Sequence, residues 1–124
     1  MGTSVNVEIE ERQLRCAEVL RFVVVLEPAS GQELPAAEVS VRFETSGKGD
    51  TDDGVVLLEK LDGGGDAMLT RSYAVRMPLV PASYQGVNVQ VRWMVRVRVL
   101  KTLGEDLVVD SPFVLFLPTS EADG

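Results

Sequence analysis

From Gly86 to Val99 the chain alternates with a single exception. Every odd position from Val87 to Val99 is apolar, and every even position to Arg98 is polar or charged except Met94. Side chains on a strand alternate faces with a period of two, so this stretch is expected to be a long β-strand. Trp93 lies on the apolar face, while Arg92, Arg96 and Arg98 share the other. The same period recurs at Val5, Val7 and Ile9, at Val39, Val41 and Phe43, and at Tyr73, Val75 and Met77.

Val19 to Leu26 is apolar almost throughout, as expected of a strand that is central in its sheet or buried on both faces. The final run, Asp106 to Leu117, has Pro112 in its middle. Proline cannot donate to a ladder, so this strand should be an edge, or bulged and split there. Its apolar end, Val114 to Leu117, reads as an open edge for a second copy of the chain unless the other sheet covers it. Glu11 to Arg15 reads as a turn. Val55 to Leu58 with Leu61 forms a fourth, shorter apolar segment, and Leu57 to Leu61 is the one place where a helical turn could hide. Asp62-Gly63-Gly64-Gly65-Asp66 reads as the most flexible point, because glycine has the most backbone freedom to lose. About seven strands joined by Gly, Asp and Pro turns predict an all-β fold, an antiparallel immunoglobulin-like β-sandwich.

Composition narrows the function classes. The 124 residues include 19 acids and 12 bases, a formal net charge of -7. That balance argues against nucleic acid, and makes an acidic membrane an unsuitable partner, since both demand a cationic surface. There is no histidine, which removes the commonest general base and metal ligand. With one cysteine, Cys16, no intrachain disulfide can form, which suits a cytoplasmic location. No apolar run approaches the roughly 18 residues of a membrane helix. Residues 1–118 are expected to form one domain, and 119–124 a polar, disordered tail.

The segment Pro81-Ala82-Ser83-Tyr84-Gln85-Gly86, followed by Val91-Arg92-Trp93-Met94-Val95-Arg96, resembles the arrestin-like family. That family pairs a Pro-x-Ser-Tyr/Phe-x-Gly turn with an (Ile/Val)-Arg-(Tyr/Trp)-x-Val-(Arg/Lys) strand. It includes arrestins, the retromer cargo-binding subunit and bacterial sporulation-control proteins. Pro112-Phe113 is similar to its next strand. Ala17-Glu18 departs from the family's Gly-Glu. The resemblance implies an arrestin-like sandwich, and a protein-interaction or scaffold role rather than an enzyme. Arrestins carry two such sandwiches, and this chain has room for one.

Pro81, Ser83, Tyr84 and Gly86 are read as a structural turn, with the Tyr84 ring over the end of the sandwich and its hydroxyl on backbone. Trp93, Pro112 and Phe113 are read as core and strand. Arg92, Arg96 and Arg98 are the candidate interaction site, and would then be unpaired and face a groove. The plainer reading has them paired across strands with acids such as Glu8, Glu10, Glu38 or Glu44. Replacing all three with serine distinguishes a surface site, which leaves the fold intact, from structural pairs. Asp50, Asp52, Asp53, Asp62 and Asp66 are candidate calcium ligands if their two loops share one end of the sandwich, the alternative being a calcium-dependent or membrane-associated module. Solvated loops explain them more simply. No cofactor is expected. The expected partner is another protein.

Overall fold

A computed structural model describes residues 2–47, 53–78, 84–85, 89–101 and 104–116. The strands are β1 (Ser4–Ile9), β2 (Gln13–Arg15), β3 (Val19–Glu27), β4 (Ala37–Gly47), β5 (Asp53–Leu61), β6 (Leu69–Arg76), β7 (Tyr84–Gln85), β8 (Val89–Val99) and β9 (Leu107–Phe116). They form a three-stranded sheet, β1-β3-β6, and a larger one, β2-β9-β8-β4-β5, with β7 also on β8. Valine is the commonest residue of the paired strands because β-branched side chains pack well on a pleated surface. The two sheets enclose one core cluster, in which Leu20, Val39, Val41, Val95, Val97, Val99 and Leu115 are completely buried. The alternation at Trp93, Val95, Val97 and Val99 is therefore the inward face of β8. As anticipated, β3 is central in its sheet.

Three expectations need correction. Gln13–Arg15 is a strand rather than a turn, and it pairs parallel with Val114 to Phe116 of β9. The sheets are thus not wholly antiparallel, and the backbone edge of β9 is paired along those three residues, while the Val114 and Phe116 side chains remain exposed. Leu57 to Leu61 is strand, not helix. Val41 pairs with Leu57 and Arg42 with Val55, so Val56 is the extra residue of a β-bulge. The bulge turns Val55 and Val56 both outward and breaks the period of two.

The third correction concerns the glycine loop. The Gly64 N–H donates to the Leu34 carbonyl at 2.7 Å, and the Leu34 N–H donates to the Gly65 carbonyl at 2.9 Å. Gly64 and Gly65 have φ of 113° and 76°, and a Cβ on Gly63 would lie 2.4 Å from the Leu34 carbonyl oxygen. These glycines serve backbone geometry and close approach rather than freedom.

Pro112 sits on the outer side of β9. The Val114 N–H donates to the Arg12 carbonyl, away from β8. N–H groups two residues apart on a strand share a side, so the donor that Pro112 lacks would also face outward. The Arg12 side chain donates to the Pro112 carbonyl at 2.7 Å on that side. The split expected at this proline is absent: β9 is one continuous strand through Pro112, paired with β8 from Leu107 to Phe113 and with β2 from Val114 to Phe116.

Between β2 and β3 the Glu18 N–H donates to the Arg15 carbonyl at 3.1 Å, and Ala17 has φ of 74°. This is the geometry of a type II turn, whose third residue is normally glycine. Ala17 occupies the position where the family resemblance calls for Gly. A left-handed non-glycine residue costs about 1–2 kcal/mol, partly offset because glycine loses more entropy on folding. Ala17→Gly is accordingly expected to raise stability by about 0.5–1 kcal/mol, read as a higher thermal midpoint. An unchanged or lower midpoint would contradict that assignment.

Candidate functional site

The outer face of the large sheet carries the arginines of β8, and strand register decides what each one meets. Arg92 lies opposite Glu44 of β4, Arg96 lies between Ser40 and Asp110, and Arg98 lies between Glu38 and Val108. Arg96 is held bidentately by Asp110, at 2.7 and 3.0 Å, and reaches Glu44 at 3.1 Å. Arg98 donates through Nε to Asp106 at 2.9 Å, and Arg92 stands 3.8 Å from Glu44. The row of unpaired arginines that a simple docking site would present is therefore absent, because β4 and β9 bring acids alongside it.

Of the acids named from sequence, only Glu44 takes part. Glu8 and Glu10 belong to the other sheet, where Glu10 approaches Arg21 at 3.9 Å. Asp106 and Asp110 were not anticipated, although the alternation of Leu107, Val109 and Phe113 places Asp110 on the polar face of β9.

The electrostatics follow the contacts. The Asp110 hydrogen bonds are the largest influence on Arg96 and raise its pKa, against partial burial. The Lys101 N–H, donating to Asp106 at 3.0 Å, is the main cause of a lowered Asp106 pKa, and Arg98 adds to it. Charge-assisted bidentate pairs are the strong ones, whereas exposed pairs contribute little. Arg96→Ser is expected to cost about 1–2 kcal/mol in chemical denaturation, and Arg92→Ser less than about 0.5 kcal/mol. Equal losses would show that the pairing does not determine their contributions.

Tyr73 of β6 donates its hydroxyl to Glu59 of β5 at 2.5 Å, tying the small sheet to the rim of the large one. Burial first, then the Glu59 hydrogen bond and charge, push the Tyr73 phenol well above its ordinary value. A raised folded pKa leaves stability complete below the unfolded value, about 10, and removes it as pH rises toward the folded value. Tyr73→Phe should flatten the fall in denaturation midpoint above about pH 10. An unchanged alkaline slope would contradict this. Cys16 is buried, and burial pushes its thiol up, away from nucleophilic reactivity.

Of the candidate calcium ligands, the described Asp53 and Asp62 do not come together. Asp53 opens β5 and Asp62 follows its end, so the nine-residue strand separates them by roughly 30 Å. Asp50 and Asp52 lie outside the described residues. Among the described residues no three His, Cys, Asp or Glu side chains are grouped so as to hold a metal ion. Pro81, Ser83 and Gly86 are likewise outside the described residues. Tyr84 is placed only by its backbone pairing with Val91.

Edges complete the site. β2 is only three residues long, β1 alternates Asn6 and Glu8 outward, and β6 carries Arg71, Ser72 and Arg76. β5 is different. It is nine residues long, ends the large sheet with no described strand beyond it, and exposes Val55, Val56 and Leu58. Sequence reasoning placed the open apolar edge on β9. There β2 pairs with Val114 to Phe116, whose Val114 and Phe116 side chains stay exposed, while β5 ends the large sheet among the described strands, with the unbroken run Val55 to Leu58 as its mark in the sequence.

No protein-family profile matches the chain, and no curated protein matches it in sequence. Among solved structures, Spo0M, the sporulation control protein from Bacillus subtilis, matches 95% of this chain with a TM-score of 0.71. The fold is arrestin-like. At 9% sequence identity the likeness is one of fold, and this chain spans about half, 51%, of the Spo0M chain. Pro112 and Phe113 lie on β9, with the Phe113 ring centroid 6.0 Å from that of Trp93. No helix among the described residues is long and apolar enough to cross a membrane.

Proposed function

We propose that this chain is a non-catalytic interaction module that receives an extended segment of a protein partner along the free edge of β5. The observation that carries this reading is the exposed apolar run Val55, Val56 and Leu58 on a long terminal strand. An unpaired edge presents a row of N–H and C=O groups, and native proteins normally blunt such edges with charge, bulges or brevity. Here the bulge is confined to Val56, and Leu57 to Leu61 keep a regular ladder with β4. A partner strand added to it would gain main-chain hydrogen bonds, and Leu58 would set side-chain preference. The single free cysteine accords with a cytoplasmic setting.

The test is affinity capture from the native source with the wild-type chain and with a Val56→Lys/Leu58→Lys variant. Both side chains are exposed, so the variant should fold with a midpoint close to wild type. Proteins retained by the wild type should be lost from the variant. Retention of the same set by both would overturn the assignment of the edge. Sedimentation at rising concentration reads whether the occupant is a second copy of the chain.

A further inference from the structure

On the outer face where β4 and β8 pair, one guanidinium is not consumed by an acid among the described residues. Arg92, Arg96 and Arg98 each have a carboxylate partner, but Arg42 of β4 has none among the described residues. Its Nε donates instead to the Ser40 hydroxyl at 3.1 Å. Ser40 points to the outer face yet is only 3% exposed. Beside this pair is a concavity of about 70 Å³, bordered by Arg42, Ser40, Arg96, Arg98, Glu38 and Val108.

The donors there are only partly spent. Ser40 accepts from Arg42, and a hydroxyl that accepts still has one hydrogen to give. Arg42 uses Nε and keeps both terminal amino groups. Arg98 also uses Nε, toward Asp106, and keeps its own pair. A guanidinium anchored through one nitrogen presents a planar fork suited to two oxygens of one ligand. The space exceeds that of a water, whose share of liquid volume is about 30 Å³. It suits a small group rich in acceptors. Glu38 on the rim opposes an anion, which makes its sign a test in itself.

We propose that this concavity binds an oxyanion group, the Arg42 fork and the Ser40 hydroxyl being its principal donors, with Arg98 closing it. The site lies between β4 and β8 and does not depend on what occupies the β5 edge.

Backbone amide NMR on the full chain tests this, with inorganic phosphate and acetate titrated separately against sodium chloride at matched ionic strength. Saturable shifts centred on Ser40, Arg42 and Arg98 are expected. Arg42→Gln should weaken binding about tenfold, the usual consequence of losing a charge-assisted hydrogen bond. Ser40→Ala should weaken it less, and Glu38→Gln should tighten it several-fold. Binding of phosphate alone supports a site for a tetrahedral anion, and binding of both ions extends the site to carboxylates. Shifts that track ionic strength without saturating, or affinity unchanged by Arg42→Gln and Glu38→Gln, would overturn the proposal.

Discussion

Trp93→Ala is expected to destabilise the chain by about 3–5 kcal/mol, the usual cost of truncating a large buried aromatic. Trp93 is 1% exposed and stands in register between Phe43 of β4 and Phe113 of β9. Its ring centroid lies 5.1 Å from that of Phe43 and 6.0 Å from that of Phe113. Three aromatics on one rung join three strands of the large sheet and face the smaller sheet across the core. Removing the middle one leaves a cavity that its two neighbours cannot close without leaving their own strands. Because the variant lacks the only tryptophan, circular dichroism is the appropriate probe of the denaturant midpoint. A loss below about 1 kcal/mol would mean that the rung is not part of the cooperative core.

Gly63→Ala is expected to cost about 2–4 kcal/mol, although it adds a single methyl group to an exposed loop. The added Cβ would lie 2.4 Å from the Leu34 carbonyl oxygen, 2.6 Å from the Ala36 nitrogen and 2.6 Å from the Pro35 carbonyl carbon. All three are backbone atoms, so no side-chain rotation relieves the clash. The loop must lift, which breaks the hydrogen bonds of Leu34 with Gly64 and Gly65. Urea denaturation at neutral pH measures the loss. A Gly63→Ala midpoint equal to wild type would show that the loop is free to move away from residues 34–36.

Much of the fold was legible because the inward faces of β1, β4, β6 and β8 keep a strict period of two. The features that escaped were of other kinds. β2 has only three residues, too few to display a period, and its partner lies about a hundred residues away in sequence. β5 hid behind its bulge, which imitates an unpatterned apolar run. The glycine loop was misjudged because composition reports backbone freedom in the unfolded chain, not the close approach that makes glycine necessary at 63. The candidate site was legible only in part. The arginine row and Glu44 could be read from alternation, whereas Asp106 and Asp110 join it through the pairing of β8 with β9. Ser40 and Arg42 read only as the polar side of their strand, since two polar residues alternating with valines look like any solvated face. The run Val55 to Leu58 marks an apolar strand, but its place at the end of the sheet is a property of strand order, which that run does not encode.

Site-specific photo-crosslinking tests the central claim most directly. A photoreactive residue placed singly at Leu58 on β5, and at Val108 on β9 as a control of similar exposure, should capture a partner only from position 58. Capture from position 108 alone, or equally from both, would contradict the assignment of the β5 edge as the interaction surface.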